Sequence, residues 1–191
     1  MIKVLGYGYT LLAIFSRSYA NLMSRLLIAH LRARGALIGK NFQIRKKSTI
    51  SIAKGGTLTI GDDVVVDQMT DIIVLANAKI VIGNRTYIGK RNIISAGEKI
   101  EIGSDVMIAH HVSINDTHHG FSRKDVPMRG QDPVFEPISI GNDVWIATCV
   151  TVVPGASVAN RSIVAAHAVV THRFEENSML GGVPAKLIKK F

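Results

Sequence analysis

Two adjacent histidines, His118 and His119, are the side chains in this sequence best suited to moving a proton. A free imidazole has a pKa near 6.5, so at neutral pH it is mostly uncharged yet basic enough to take a proton from a hydroxyl or an amine. Such a base needs a further group to fix its tautomer, and Asn115 and Asp116 lie just upstream. These two residues and His118 are the candidates for orienting the base or binding an acceptor. The same stretch carries Arg123, Lys124, Asp125, Arg129 and Glu136. His110 and His111 precede it and read as structural or as cleft lining. The only cysteine, Cys149, excludes an intrachain disulfide and a cysteine metal cluster, and it reads as a small core hydrophobe.

The elements that hold these histidines follow from a period of six. Aliphatic residues recur at Ile38, Ile44 and Ile50, at Ile60, Val66 and Ile72, at Ile82, Ile88 and Ile94, and at Ile102, Ile108 and Ile114. They resume at Ile140, Ile146, Val152, Val158, Val164 and Val170. A hexapeptide period is the signature of a parallel β-helix, in which each turn buries its inward residues only against its neighbours. Three hexads make one triangular turn of about 18 residues, and six turns are counted. Glycines follow many aliphatic positions (Gly39, Gly61, Gly83, Gly103, Gly141), with Asp62, Asn84 and Asn142 beside them. Residue types that tolerate positive φ suit tight corners. Between Ile114 and Ile140 the period breaks for a long stretch, and this is where both histidines lie. A long unrepeated loop in a compact fold is more often functional than not.

Residues 1–36 have no hexad and read as helical. The uncharged run Val4–Ser16 is too short to span a bilayer, and Ser18-Tyr19-Ala20 could mark a signal peptide. A helix packed on the repeat and an interfacial helix are both expected forms. The interfacial form places Phe15, Leu22, Leu26, Leu27 and Leu31 in the lipid boundary, with Arg17, Arg25, Arg32 and Arg34 towards phosphates. The net charge of +9 favours an anionic partner. With 6% aromatic residues and no basic run interleaved with aromatics, nucleic acid is not expected.

Four stretches carry a resemblance: NDTHHGF (Asn115–Phe121), PISIGNDVWIA (Pro137–Ala147), VVPGASV (Val152–Val158) and GGVPAKLIKK (Gly181–Lys190). In that order they resemble the hexapeptide-repeat acyltransferases. Within that family they are most similar to the galactoside, maltose, nodulation-factor and exopolysaccharide acetyltransferases. The resemblance covers about 38–191. It implies an all-β, left-handed parallel β-helix of about six turns, an extruded loop at 115–139, a tail at 171–191 with a short C-terminal helix, and a homotrimer with clefts between subunits. It implies acetyl-CoA as donor, with no metal and no covalent intermediate.

Aligned on the family, the catalytic base falls on His119, with His118 beside it. Asn92 falls in an acceptor-binding region, although Lys90 departs from the pattern there. Acetyl-CoA contacts fall on Thr148, Ala166, Thr171, His172, Lys186 and Lys189, with Ala147 small enough for a close approach and Trp145 as a cleft wall. His172 stands where the family has lysine, and Lys186 and Lys189 where it has arginine. This leaves the phosphate contacts without a bidentate fork. The resemblance implies acetyl transfer to a saccharide hydroxyl in surface polysaccharide or lipopolysaccharide synthesis. The acceptor would be free, nucleotide-bound or lipid-linked, at the cytoplasmic side or on the inner membrane face. The alternatives are N-acetylation of an amino sugar, modification of a drug, and a non-catalytic β-helix scaffold. A zinc carbonic anhydrase of the same fold is set aside, because the histidine spacing differs.

Overall fold

The structure, a computed structural model, describes residues 24–191. The readings placed on residues 1–23, including the signal-peptide reading and Phe15, Arg17 and Leu22, lie outside the described residues. The chain divides into two compact units, Met1–Ala36 and Leu37–Phe191. In the first, residues 24–33 are helical. The helix ends where Gly35 takes φ +89°, with Gly35 N–H donating to Arg32 O and Ala36 N–H to Leu31 O. Those two bonds make a Schellman stop, which needs a residue free to adopt the left-handed region. On this helix Leu26 is exposed and Leu31 is buried. Among the described residues no helix is long and apolar enough to cross a membrane.

The second unit is a parallel β-helix. Its first turn is β1 (Leu37–Ile38), β2 (Gln43–Ile44) and β3 (Thr49–Ile52). The second is β4 (Thr57–Ile60), β5 (Val65–Val66) and β6 (Asp71–Val74), and the third is β7 (Lys79–Ile82), β8 (Tyr87–Ile88) and β9 (Ile93–Ala96). The fourth is β10 (Lys99–Ile102), β11 (Met107–Ile108) and β12 (Ser113–Asn115). A hairpin of β13 (Thr117–His119) and β14 (Pro133–Phe135) then interrupts the coil. The fifth turn is β15 (Ile138–Ile140), β16 (Trp145–Ile146) and β17 (Thr151–Val152), and the sixth is β18 (Ser157–Val158), β19 (Ile163–Val164) and β20 (Val169–Val170). A partial seventh, β21 (Arg173–Phe174) and β22 (Ser178–Gly181), precedes β23 (Lys186–Lys190). Corresponding strands stack into three sheets: sheet I begins with β1, sheet II with β2 and sheet III with β3.

The hexad aliphatics align in register, as Ile82↔Ile102↔Ile140 on sheet I and Ile88↔Ile108↔Ile146 on sheet II. From Ile60 to Val170 each is at most 2% exposed. Burying a side chain of that size is worth about 1.5–3 kcal/mol, so the stack itself is the core. In the first turn, with a coil on one side only, Ile38 and Ile50 are half-buried.

The corners work differently from the sequence expectation. Gly83 and Gly103 do not take positive φ; a Cβ on Gly83 would stand 2.5 Å from the Gly103 carbonyl carbon. These glycines are there because successive coils touch. Positive φ falls instead on Asn41, Asp63, Arg85, Asp105, Asp143 and Arg161. Asp62, Asn84 and Asn142 cap the coil below: Asp62 Oδ1 accepts from Lys40 N–H at 2.6 Å, Asn84 Oδ1 from Asp62 N–H at 2.8 Å, and Asn142 Oδ1 from Ser104 N–H at 2.8 Å. At the II–III corner the buried Asp67 accepts from Gln68 N–H at 2.7 Å and the Tyr87 hydroxyl at 2.8 Å, and pairs with Arg45 at 3.3 Å. Burial pushes its carboxyl up, but these hydrogen bonds and the Arg45 charge outweigh burial and hold it below the ordinary carboxylate value.

Two expectations are corrected. The tail forms no helix: β23 runs antiparallel to β22, with Gly181↔Lys186 and Ser178↔Lys190 paired. A five-residue segment is too short to hold a helix, whereas the open edge of β22 offers it a full set of backbone partners. Cys149 is not in the core; it sits half-exposed at the II–III corner with φ 58°, where the residue after a hexad step must turn.

Candidate functional site

The hairpin leaves the III–I corner between turns four and five. Its strands pair as Thr117↔Phe135, His118↔Val134 and His119↔Pro133. Asp116 fixes its root. This residue is 0% exposed, and its carboxylate accepts from Gly97 N–H at 2.6 Å, Lys99 N–H at 2.7 Å, Glu98 N–H at 3.0 Å and the Thr117 hydroxyl at 3.0 Å. Three backbone donors converging on one carboxylate are charge-assisted and strong. Gly97 is small for a reason: a Cβ there would lie 2.3 Å from the Phe135 ring and 2.4 Å from the Thr117 hydroxyl. The tip is closed by Gln131, whose Oε1 accepts from Arg123 N–H at 3.1 Å while Nε2 donates to Arg123 O at 2.8 Å and Val126 O at 2.9 Å.

The two histidines differ. His118 is half-buried, its Nδ1 lying 2.9 Å from His119 O and its Nε2 3.7 Å from Glu136 Oε1. Its ring stands 5.6 Å from that of Phe121. His119 is exposed, and its imidazole has no side-chain partner among the described residues. Asn115 bonds within the root, Nδ2 donating to Thr117 O at 2.9 Å and Oδ1 accepting from Thr117 N–H at 3.3 Å. Asn115 and Asp116 therefore shape the hairpin instead of touching either imidazole.

Asn92 is also placed otherwise than the acceptor reading requires. It is 0% exposed, its Nδ2 donates to Gly89 O at 3.1 Å and Ala109 O at 2.9 Å, and its Oδ1 accepts from Val112 N–H at 2.7 Å. Its amide is wholly spent on the II–III corner. His110 belongs to that corner as well, its carbonyl accepting the Thr148 hydroxyl at 2.9 Å and Cys149 N–H at 3.0 Å.

The residues assigned to the donor fall into two groups. Trp145, 47% exposed, lies on the outer face of sheet II in register with Met107 and Ile163. Ala147, Thr148 and Ala166 follow at the II–III corner. Lys186 and Lys189 lie exposed on β23 at the end of sheet II, and neither has an ion-pair partner among the described residues. Thr171 and His172 lie at the III–I corner, on the hairpin's side. The Thr171 hydroxyl is 3.1 Å from His172 Nδ1, and the His172 ring lies 4.2 Å from that of Phe174. Sheet III lies between the groups. Among the described residues no group of three metal-ligating side chains converges.

Glu136, Gln131 and Arg173 carry site geometry that sequence reasoning did not assign. Glu136 meets His118 only because β14 folds back 18 positions later, and no local signal marks that.

A parallel β-helix with a clamped histidine hairpin at one corner defines a repeat-built scaffold bearing a candidate base. No family model matches the chain. It is 37% identical over 107 residues to a putative lipopolysaccharide biosynthesis O-acetyl transferase, WbbJ, of Escherichia coli K12, covering 51% of this chain and 54% of that one. It is 30% identical over 164 residues to the putative acetyltransferase YJL218W of Saccharomyces cerevisiae, covering 78% of this chain and 82% of the relative. Among solved structures, the AntD N-acyltransferase of Bacillus cereus, in complex with dTDP and 3-hydroxybutyryl-CoA, superposes with TM-score 0.70 at 21% identity, covering 85% and 87% of the two chains. The chain belongs to the hexapeptide-repeat acetyltransferases. It spans about half the length of the first curated relatives it matches, 54% and 56%.

Proposed function

We propose that this chain transfers an acetyl group from acetyl-CoA to a saccharide hydroxyl, with His119 as general base. The observation that carries the reading is the hairpin: Asp116 and Gly97 fix its root, and it presents an exposed imidazole at His119 with no side-chain partner among the described residues. Neutral imidazole takes the hydroxyl proton as that oxygen attacks the thioester carbonyl. The imidazolium then returns the proton to the departing thiolate, so atoms and charge balance. The donor fits the residues available to it. Small side chains at Ala147 and Ala166 leave room at the II–III corner, and Lys186 and Lys189 offer point charges for its phosphates.

The split of the donor residues over two corners supports a homotrimer. A single chain keeps Thr148 and Ala166 a sheet's width from Thr171, His172 and the hairpin, and a neighbouring copy would bring the opposite corner to them. Sedimentation at a mass three times 20.7 kDa tests the assembly. The lipopolysaccharide relative supports a saccharide acceptor, in solution or lipid-linked. Localisation at the inner membrane face, with contact through the 24–33 helix, is part of the same reading. Release of CoA thiol with a panel of sugars, nucleotide sugars and amino sugars tests the reaction. His119→Ala should lower turnover about 10²–10⁴-fold, the usual contribution of a placed base. Wild-type turnover in that variant would end the assignment.

A further inference from the structure

At the foot of the hairpin, on the outer face of sheet I, lies a depression of about 250 Å³ lined by Lys99, Glu101, Pro137, Ser139, Ser157 and Arg173 among others. Four of these residues form one column in register, Glu101↔Ser139↔Ser157↔Arg173. Adjacent rungs stand about 4.8 Å apart. The charges around the depression pair off unevenly. Lys99 Nζ sits 2.9 Å from Glu101 Oε1, and the Glu136 carboxylate at the neighbouring corner faces His118. Arg173 has no carboxylate partner among the described residues, and the hydroxyls of Ser157, one rung away, and Ser139, two rungs away, have no hydrogen-bond partner there either. A planar guanidinium with the Ser157 hydroxyl on the next rung offers a bidentate fork and an adjacent donor, an arrangement that suits an oxyanion. Gly155 lines the same depression at φ +74°, and the Glu136 carboxylate lies against it: a Cβ there would stand 2.4 Å from Glu136 Oε2.

We propose that this depression binds an anionic oxygen group, a phosphate or a carboxylate, with Arg173 as the fork and Ser157 as the adjacent donor. Arg173 follows Thr171 and His172 directly, at the hairpin's own corner, so the ligand is one that occupies the transfer cleft. To that extent the inference rests on the proposed function. The group comes from one of two sources: the phosphates of the acetyl donor, or a phosphate or carboxylate on the saccharide acceptor. The first would supply the bidentate contact that Lys186 and Lys189 lack.

Calorimetric titration separates these. The probes are CoA, 3′-dephospho-CoA, UDP and glucuronate, each titrated into wild type, Arg173→Ala, Arg173→Lys and Arg161→Ala. Arg161 lies at the I–II corner near Asp143 and removes the same charge elsewhere on the surface. Arg173→Ala is expected to weaken at least one probe about 10- to 100-fold, with Arg173→Lys recovering part of it and Arg161→Ala staying within about two-fold. Loss on CoA alone assigns the 3′-phosphate, and equal loss on CoA and 3′-dephospho-CoA assigns the donor's pyrophosphate. Loss confined to UDP or glucuronate assigns the acceptor. If wild type binds CoA and Arg173→Ala binds every probe as tightly, the subsite is refuted while the donor assignment stands. If wild type binds none of the four at about a millimolar, both are refuted.

Discussion

Replacing Asp116 tests whether the hairpin is held as described. The carboxylate is fully buried and takes three backbone N–H groups and one hydroxyl. Asp116→Ala strands the N–H groups of Gly97, Glu98 and Lys99. A buried donor left without a partner costs about 1–3 kcal/mol, which puts three of them at about 3–9 kcal/mol. The root lies at a surface corner where water can reach some of these groups, so the lower part of that range, about 3–5 kcal/mol, is expected. Asp116→Asn keeps the shape, but its one amide oxygen serves at most two donors and its NH₂ faces the third, so about 2–3 kcal/mol should go. Urea unfolding followed by far-ultraviolet circular dichroism, with linear extrapolation, measures both. Limited proteolysis between residues 120 and 132 should speed up in the same order. If both variants lie within about 1 kcal/mol of wild type, the clamp is not what holds the hairpin.

Glu136→Gln separates the two histidines: Glu136 lies 3.7 Å from His118 Nε2. Turnover should stay within about three-fold if His119 is the base and fall more than about ten-fold if His118 is. The Asp67 carboxyl is held below its ordinary value, so its stabilisation is complete above about pH 4 and is lost as the pH falls through the lower folded value. Asp67→Asn should therefore cost about 1–3 kcal/mol at pH 7 in urea unfolding, and the gap to wild type should close in acid. A gap that persists below that range would place the loss elsewhere. Ile94→Ala, in the middle of the sheet III column, should cost about 2–5 kcal/mol; a value under 1 would mean the coil collapses around the cavity.

The coil and its register were legible because they depend on one local variable, the six-residue spacing of aliphatic side chains. A slip of one residue would turn every inward isoleucine outward, so Ile60 to Val170 could settle only one way. The break in that spacing located the hairpin, and with it His118 and His119. The polar residues were not legible in the same way. Asn92 and Asp116 read as polar groups at a site, yet each spends its side chain on partners about one coil away: Asn92 on Val112 and Asp116 on Gly97.

The hexad alone therefore dictated the β-helix, its inward columns and the place where it opens. Tertiary structure decided which residue at each corner bends to positive φ, why Gly83 and Gly97 must lack a side chain, and that Lys186–Lys190 closes a sheet edge as a strand. It also set which histidine is tethered, which is exposed, and where Arg173 stands without a carboxylate partner among the described residues. The physical reason is one of range. Hydrophobic burial in a coil follows the chain's own period, whereas hydrogen bonds and charges find their partners across coils, at separations that no short pattern encodes.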